Sequence, residues 1–256
     1  MQNNTNIRLY IGENLKIADS LPSTNEYIKE EIAKSTPFEA GTVILAKEQT
    51  KGRGQRNNSW SSPKNENLTF SYILYPTFLS PLSQFYLTVS VSLALVKFLK
   101  QYIPDVFIKW PNDIMAGNKK ICGILIENTI RGNKIKHSIV GIGLNVNQTL
   151  FENSLKQATS IKAYLNSKQN FVLLKLVKKL FGFLSEEYYT LQTKNPHDLL
   201  AAYNKHLFRK NEEKPYIIDN KSFNASIIAV KEDGLLRLKI GEHIYKYASK
   251  EVKYVF

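Results

Sequence analysis

Apolar residues recur along the first part of the chain with different spacings, and each spacing predicts a different element. Ser23 and Glu26 form a capping-box pattern in front of a segment with helical periodicity, so a first helix is predicted to begin at Ser23. The continuous apolar run 42–46 predicts a buried strand, and the alternation over 68–74 predicts another. Residues 82–102 are mostly apolar and predict a long, buried helix.

The middle of the chain consists of apolar runs separated by turn residues. Runs at 106–110, 121–128 and 138–147 predict successive strands. Glycine–asparagine pairs at 117–118 and 132–133 separate them, and these are residues that tight turns favour. This part of the chain is therefore expected to form strands of one sheet.

Two helices and a group of short strands complete the pattern. The helices are predicted at 171–193 and 196–207. After a polar linker, short strand-like runs divided by turn residues predict a small β-barrel. The chain is expected to fold as an α+β protein, with a catalytic-sized domain over 1–210 and a small all-β domain over 214–256.

Composition narrows the class of protein. Of the 256 residues, 43% are hydrophobic and 22% are charged, as in an ordinary folded globular protein. The single cysteine, Cys122, excludes an intramolecular disulfide framework and a multi-cysteine metal site, and the histidine spacing matches no zinc motif. The N-terminal segment lacks the pattern of a secretory signal, and the run 85–99 is interpreted as too short and too polar to span a membrane. A cytoplasmic protein is expected.

The net charge indicates an anionic partner. The chain has 35 basic and 22 acidic residues, a formal net charge of +13 and a pI near 9.5. Nucleic acid, phosphates, a membrane surface or an acidic protein would each fit such a charge. Residues 67–213 contain 18 basic and 9 acidic residues, but the excess is scattered and no block of five like charges occurs. This scattering argues against a dedicated nucleic-acid-binding tail.

The polar loop after the strand at 42–46 is a candidate anion-binding site. Gly52 and Gly54 flank Arg53, and glycine tolerates backbone geometries that other residues avoid. Backbone N–H groups and the guanidinium of such a loop can close on a phosphate or a carboxylate. A solvated hairpin loop is the alternative interpretation.

A polar cluster, Trp-Pro-Asn-Asp, ends the strand at 106–110. Pro111 cannot donate to a sheet ladder. Asp113 could hold a metal–phosphate group or orient an amine, and Asn112 could contact a base or a ribose. An ordinary turn remains open as an explanation, because Asn and Asp after Pro are common in turns.

Lys120 lies near the start of the next predicted strand. Strict alternation places Lys120 and Cys122 on one face of that strand and Ile121 and Gly123 on the other. A short hairpin would bring Lys120 opposite the Asn-Asp cluster, although a lysine at a strand end is usually solvated.

Two glycines follow in the strand at 138–147. Gly141 and Gly143 lie on one face, where missing side chains can admit another backbone or a flat ligand. A structural bulge explains them equally well. The segment lacks the G-x-G-x-x-G pattern of a dinucleotide-binding turn.

Together these motifs resemble those of the biotin protein ligases. They occur along the chain as Ser23-Thr24-Asn25, Gln49 with GRGQRNNSW, KWPND, KKICGIL and GIGLNVN. The segment from about 214 to 256 resembles the small SH3-like C-terminal domain of the family, so the resemblance covers essentially the whole chain. It implies a central mixed sheet with helices, like that of class II synthetases, followed by the SH3-like barrel.

The resemblance implies an ATP-dependent reaction. Biotin and ATP would form biotinyl-5'-AMP and pyrophosphate, and biotin would then pass to one lysine of a biotin carboxyl carrier protein domain. The implied catalytic residues are Arg53, Lys120 and Asp113, with Asp113 also a candidate ligand for Mg²⁺. Lys120 would lie between the biotin carboxylate and the α-phosphate of ATP.

The binding residues are likewise implied by the resemblance. Those for biotin are Ser23, Thr24, Asn25, Gln49, Gly52, Arg53, Lys120, Gly123 and Gly143. Those for ATP are Arg53, Arg56, Trp60, Asn112, Lys120 and Asn145. Trp60 would stack near the adenine.

The glycine-rich loop departs from the commonest family pattern. Gln55 and Asn58 stand where the family has arginines, and Asn57 stands where it has glycine, whereas Arg56 matches. The roles of the missing arginines are therefore not carried over. Phosphate binding is expected to depend more on Arg53, Arg56 and Mg²⁺.

Two other functions remain as alternatives. The first motif begins at Ser23, so a short form without an N-terminal DNA-binding domain is expected, as a monomer or homodimer that binds the carrier domain but neither nucleic acid nor a membrane. A lipoate-type protein ligase is the alternative enzyme. A non-enzymatic, basic nucleic-acid-binding protein would explain the charge of +13 but not the ordered motifs.

Overall fold

A seven-stranded mixed sheet forms the larger part of the computed structural model, which describes residues 8–55, 58–152, 155 and 157–256. Its strands are β1 (Leu15–Ala18), β2 (Val43–Ala46), β3 (Leu68–Leu74), β4 (Val106–Lys109), β5 (Asp113–Ala116), β6 (Lys119–Arg131) and β7 (Lys134–Leu144). They lie across the sheet in the order β1-β2-β3-β7-β6-β5-β4. β1 and β2 are parallel and all other neighbours are antiparallel. The expected central mixed sheet is confirmed.

Helices cover both faces of this sheet. They are α1 (Thr24–Ala33), α2 (Phe85–Leu99), α3 (Ile161–Tyr164), α4 (Leu173–Thr193) and α5 (Pro196–Lys205). On one face, Ile28 of α1 packs with Ile44, Ile73 and Ile139 of the sheet. The larger apolar cluster lies on the other face and includes α2 and α4. β3 is therefore buried along all seven residues instead of being half-buried, because its two faces belong to two clusters.

α2 is a core helix of this layer. With the 3₁₀ turn Pro81–Ser83 it forms a segment long and apolar enough to cross a membrane, by length and composition alone. The expectation that this region is too short and polar for a span was therefore wrong. Most of the segment is buried, and α2 packs against α4 and α5, as an interior helix of a folded domain does.

A five-stranded antiparallel sheet forms the C-terminal part. Its strands are β8 (Glu213–Ile218), β9 (Lys221–Val230), β10 (Leu236–Ile240), β11 (His243–Tyr247) and β12 (Val252–Tyr254), in the order β11-β10-β9-β8-β12. The predicted run of short strands after the linker is confirmed, and so is the α+β class.

Direct contacts join the C-terminal sheet to the rest of the molecule. Trp110 Nε1 donates to the carbonyl of Gly234 at 3.0 Å, and the side chain of Asn204 on α5 bonds both backbone groups of Val230. One apolar cluster contains residues of both sheets. The division into 1–210 and 214–256 follows the two sheets. That these two parts are separate domains stays a prediction.

Several local predictions need correction. Ser23 is the N-cap of α1, but its side chain makes no capping hydrogen bond. The segment 82–102 is a 3₁₀ turn followed by α2, which ends at Leu99. The sequence analysis missed β1, β5 and α3, each only four residues long, because so few residues hardly establish a period.

Candidate active site

A cavity of about 420 Å³ lies where the glycine-rich loop, the end of β4, strands β6 and β7 and the last strand β12 meet. It brings together most of the residues that the sequence analysis selected from separate segments. These are Ser23, Thr24, Asn25, Gln49, Arg53, Trp60, Asn112, Asp113, Lys120, Gly123 and Gly143. Gly52 and Asn145 do not line it, and Arg56 lies outside the described residues.

One residue that lines the cavity, Asp113, is a carboxylate held by two lysines. Asp113 begins β5, and its Oδ1 lies 2.6 Å from Nζ of Lys120. Lys109 Nζ at the end of β4 lies 3.3 Å from the other oxygen, Oδ2. Asp113 is the one acidic residue among the described residues that line the cavity. Its single negative charge does not balance the two positive charges of Lys109 and Lys120 beside it.

A β-bulge determines which side chains of β6 face the cavity. Ile114 pairs with Cys122 but Met115 pairs with Lys120, so Ile121 is an extra residue in β6. The extra residue reverses the alternation. Lys120 and Gly123 both line the cavity, while Ile121 and Cys122 are buried. The predicted grouping of Lys120 with Cys122 was therefore wrong.

The indole of Trp60 lies over two glycines of the sheet. A Cβ on Gly143 would overlap the ring, and a Cβ on Gly123 would lie 3.1 Å from it. Lys120 Nζ lies 5.5 Å from the ring centroid, within range of a cation–π interaction. Trp60 Nε1 is buried and has no hydrogen-bond partner within the described part of the chain. These glycines thus let the ring of Trp60 lie close to the sheet, whereas the sequence analysis expected another backbone or a flat ligand against the glycines of β7.

A polar network connects Thr24, Asn25 and Gln49, which line the cavity, to Ser71 and Glu127, which do not. Gln49 Oε1 accepts from the backbone N–H of Thr24 at 2.8 Å, and the Thr24 and Ser71 hydroxyls lie 2.6 Å apart. Ser71 Oγ donates to Asn25 Oδ1, whose amide in turn donates to Glu127 Oε2 at 2.7 Å. Sequence reasoning missed Ser71 and Glu127, although a serine in the middle of an otherwise apolar strand is a usable signal.

Gly141 accommodates this network. A Cβ at that position would overlap Asn25 Oδ1, so the missing side chain admits the amide of α1. Of the two glycines on β7, one therefore makes room for Asn25 and the other for Trp60.

The glycine-rich loop is fixed at its base. Trp60 N donates to the Gly52 carbonyl at 2.9 Å, and Gly54 N donates to the Asn58 carbonyl at 2.7 Å. A Cβ on Gly52 would run into the backbone of Trp60, which restricts this position to glycine. Arg53 forms an ion pair with Glu26 of α1.

Two asparagines assigned to ATP have backbone partners. Asn112 Nδ2 donates to the Ile124 carbonyl at 2.7 Å while the residue still lines the cavity. Asn145 is buried, and its Nδ2 donates to the Thr159 carbonyl at 2.9 Å. The Asn145 side chain thus connects the segment after β7 to the start of α3, away from the cavity surface.

The C-terminal sheet supplies part of the cavity. Ser249, Val252, Lys253 and Tyr254 line it. Lys109 Nζ lies 5.1 Å from the centroid of Tyr254, so an aromatic ring of β12 supports the lysine that pairs with Asp113. Sequence reasoning missed these residues, because the sequence of a short segment does not indicate which distant part of the fold it will contact.

Burial affects the pKa values of Cys122 and Glu127, two residues with no assigned catalytic role. Cys122 is fully buried, and this burial raises the pKa of its thiol, as expected for a small side chain that packs in the core. Burial opposes ionisation of Glu127, but hydrogen bonds from Lys29 and Asn25 outweigh it and lower the pKa of Glu127. Among the described residues, no three His, Cys, Asp or Glu side chains group as metal ligands.

Comparison with known proteins gives the family. The sequence model of the Biotin/lipoate A/B protein ligase family matches residues 17–145, half of the chain. The chain belongs to this family. It is 28% identical over 254 residues to the Bifunctional ligase/repressor BirA of Bacillus subtilis (strain 168), covering 95% of this chain and 74% of that protein. It is 31% identical over 242 residues to Biotin--protein ligase 2 of Arabidopsis thaliana, covering 84% and 69%.

A solved structure extends the likeness to the whole fold. The biotin protein ligase from Aquifex aeolicus in complex with biotin and ATP matches with a TM-score of 0.78 and 25% identity, over 94% of this chain and 98% of that one. The family match alone spans α1 to the end of β7. The structural match covers too much of the chain to omit the C-terminal sheet. The predicted resemblance to the biotin protein ligases and the predicted fold are confirmed.

Proposed function

We propose that this protein is an ATP-dependent biotin protein ligase, which forms biotinyl-5'-AMP and transfers biotin to a lysine of a biotin carboxyl carrier protein domain. The observation that carries the proposal is the single cavity in which Arg53, Lys120 and Asp113 face the predicted biotin-binding residues Thr24, Asn25 and Gln49. The Arabidopsis relative is named a biotin–protein ligase, and the Aquifex biotin protein ligase binds both biotin and ATP.

Adenylation brings two anions together. One oxygen of the biotin carboxylate attacks the α-phosphorus of ATP, the bond to the bridging oxygen breaks, and pyrophosphate leaves with its electron pair. Cationic donors must offset the repulsion between carboxylate and phosphate, most strongly as charge develops in the transition state. Lys120 and Arg53 are the donors assigned to this role. Holding the carboxylate in line with phosphorus supplies an entropic advantage as well.

Transfer requires a neutral amine. The acceptor lysine loses a proton, its nitrogen attacks the biotinyl carbonyl, and AMP leaves with the electron pair of the broken C–O bond. A lysine is mostly protonated at neutral pH, so a nearby carboxylate helps to orient it and to accept the proton. We assign this role to Asp113, whose carboxylate already bonds the ammonium groups of Lys109 and Lys120.

Mg²⁺ would enter bound to the phosphates of ATP. Mg²⁺ in nucleotide sites is typically held by one or two carboxylates together with substrate phosphates. Asp113 fits as one such carboxylate, since it faces the cavity. When bound, the ion would neutralise charge on the phosphates, and the groups of this chain that work beside it are Lys120 and Arg53.

The partner follows from the reaction. The acceptor is a carrier domain presenting one lysine, and we expect the encounter to take place in the cytoplasm without nucleic acid or a membrane. The positive excess over 67–213 would favour an acidic carrier.

Biotin-dependent exchange between ATP and labelled pyrophosphate tests the proposed function. We expect exchange with biotin and none without it. Exchange with lipoate but not with biotin would favour the lipoate-type ligase. Absence of exchange with either acid, combined with tight binding of DNA or RNA at physiological salt, would favour the nucleic-acid-binding alternative.

A further inference from the structure

The ion pair of the loop arginine belongs to a longer chain of contacts. Arg53 Nη1 pairs with Oε1 of Glu26 in the first turn of α1. The same oxygen lies 3.1 Å from Nζ of Lys29, one turn further along the helix. Lys29 Nζ in turn lies 2.5 Å from Oε1 of Glu127 on β6. Arginine, glutamate, lysine and glutamate therefore alternate in charge from the loop to the sheet.

The inner end of this chain is anchored in the protein interior. Glu127 Oε2 accepts from Asn25 at 2.7 Å, and Asn25 is buried against Gly141 and bonded by Ser71. Side-chain exposure is 45% at Arg53, 33% at Glu26, 36% at Lys29 and 24% at Glu127, so the end of the chain at the sheet is the least exposed. The outer ion pair is thus tied to a fixed interior point instead of lying isolated on the surface.

The geometry leaves the guanidinium able to bind a ligand. A guanidinium has five N–H donors, and Glu26 meets the Nη1 group. Arg53 also lines the cavity, so its remaining donors can face an anion there. An arginine in a loop flanked by two glycines would otherwise sample many conformations, and ordering it on ligand binding would cost free energy.

We propose that Glu26 is a positioning residue for Arg53: it holds the guanidinium at the cavity before substrate binds, so that less conformational freedom is lost when biotin and ATP arrive. The reaction part of this inference rests on the proposed function, but the ion pair does not. Glu26 does not line the cavity, and it contacts Lys29 as well as Arg53; its proposed effect on the reaction acts through Arg53.

Glu26→Gln tests this, with Glu30→Gln as the matched control. Both variants remove one negative charge from α1, and Glu30 is exposed one turn further on. The first measurement needs no substrate: trypsin cleavage after Arg53 in the ligand-free protein, with cleavage after Lys64 as internal reference. We expect Glu26→Gln to accelerate cleavage after Arg53 about three- to fivefold, the size expected from a partly exposed ion pair, and Glu30→Gln to leave it unchanged.

The second measurement is single-turnover formation of biotinyl-AMP. At subsaturating biotin and ATP, Glu26→Gln should lower the single-turnover rate by about the same three- to fivefold, and Glu26→Asp should recover part of it. In an Arg53→Ala background the Glu26→Gln change should have no further effect, because the group it positions is gone. A merely structural role of Glu26 would instead give an equal loss in both backgrounds.

Three results would overturn the proposal. The first is equal trypsin cleavage after Arg53 in Glu26→Gln and Glu30→Gln. The second is faster cleavage in Glu26→Gln with an unchanged rate of adenylation. The third is an undiminished loss of adenylation rate on adding Glu26→Gln to Arg53→Ala. If the wild type shows no biotin-dependent adenylation, the proposed function fails, and the cleavage comparison still decides whether Glu26 holds Arg53.

Discussion

At the scale of single residues, the cavity cations differ in their partners. Lys120 bonds Asp113 and lies over Trp60 close to Gly123, whereas Arg53 forms an ion pair with Glu26. Lys120 therefore has a defined position against the wall of the cavity, and Arg53 has one against the helix. Both can meet an anion without a large rearrangement of the backbone.

Replacing either cation should slow adenylation. We expect Lys120→Ala and Arg53→Ala each to reduce the single-turnover rate of biotinyl-AMP formation by about 10²–10³, the loss typical of one transition-state donor. The exposed neighbours Lys119→Ala and Lys51→Ala are the matched controls and should be close to wild type. All four variants should keep the wild-type unfolding midpoint within a few degrees. Near-wild-type adenylation in both active-site variants would refute their assignment.

Asp113→Asn should separate the two half-reactions. The substitution removes the charge that bonds Lys109 and Lys120 and that is assigned to the incoming amine. With preformed biotinyl-AMP supplied, we expect biotinylation of the carrier to fall at least as much as adenylation does, by about 10²–10⁴, the range for a general base. Asp198→Asn, exposed on α5, is the control. Normal transfer with lost adenylation would assign Asp113 to the Mg²⁺–nucleotide instead.

At the scale of elements, glycines determine how closely α1 and the loop approach the sheet. Gly141 and Gly143 lie on the same face of β7, and each admits one side chain from another element. At Gly182, within α4, an added Cβ would have no neighbouring atom within 4 Å. The same substitution at Gly141 and at Gly182 should therefore have opposite effects on stability.

Gly141→Ala should destabilise the protein and Gly182→Ala should stabilise it. The added methyl at 141 overlaps Asn25, and overpacking of this kind costs about 1–3 kcal/mol. At 182 the methyl meets open space in a helix, where alanine is favoured over glycine by about 0.5–1 kcal/mol. Urea unfolding monitored by circular dichroism measures both. A Gly141→Ala midpoint equal to that of the wild type would contradict the close contact with Asn25.

His206, which is the C-cap of α5 and whose carbonyl accepts from the backbone N–H of Ile108 on β4, should make the stability of the protein depend on pH. Burial, together with the charges of Lys100, Lys97 and Lys205, lowers the pKa of His206. The unfolded chain then binds a proton at a higher pH than the folded one, so the stabilisation is present above about pH 6.5 and is lost as the pH falls toward the folded-state pKa. We expect His206→Gln to flatten the fall in unfolding free energy between about pH 7 and 5. The exposed His243→Gln is the control, and identical slopes in both variants would contradict the prediction.

At the scale of the whole molecule, the charge of +13 bears on association with the carrier. The excess is concentrated in 67–213, the segment that contains Lys109, Asp113 and Lys120. A general bias toward lysine with no specific role is the alternative. Electrostatic steering changes the rate of encounter more than it changes the chemistry of the bound complex.

Salt should therefore affect encounter and chemistry differently. We expect kcat/KM for the carrier to fall steadily between about 50 and 300 mM salt, while the rate at saturating carrier changes little, because mobile ions screen exposed charges. A flat profile would exclude steering. Filter binding on duplex and single-stranded nucleic acid is the companion measurement, since sub-micromolar affinity at physiological salt would favour the nucleic-acid-binding alternative.

Patterns of adjacent residues in the sequence determined much of the secondary structure and many of the residues that line the site. Apolar runs and turn pairs predicted β2, β3, β6 and β7 and the two long helices near their observed positions, because hydrophobic period and turn chemistry are properties of adjacent residues. The ordered motifs likewise assigned Thr24, Gln49, Asp113 and Lys120 to one site, and all four line the same cavity.

Tertiary structure alone decided how those residues meet. The bulge at Ile121 turns Lys120 and Gly123 to the same side, because it depends on the pairing of β6 with β5. The pairing of Arg53 with Glu26 and the arrival of Tyr254 beside Lys109 join residues far apart in the chain. Such contacts arise from the packing of whole elements against each other, and no window of neighbouring residues contains the information that fixes them.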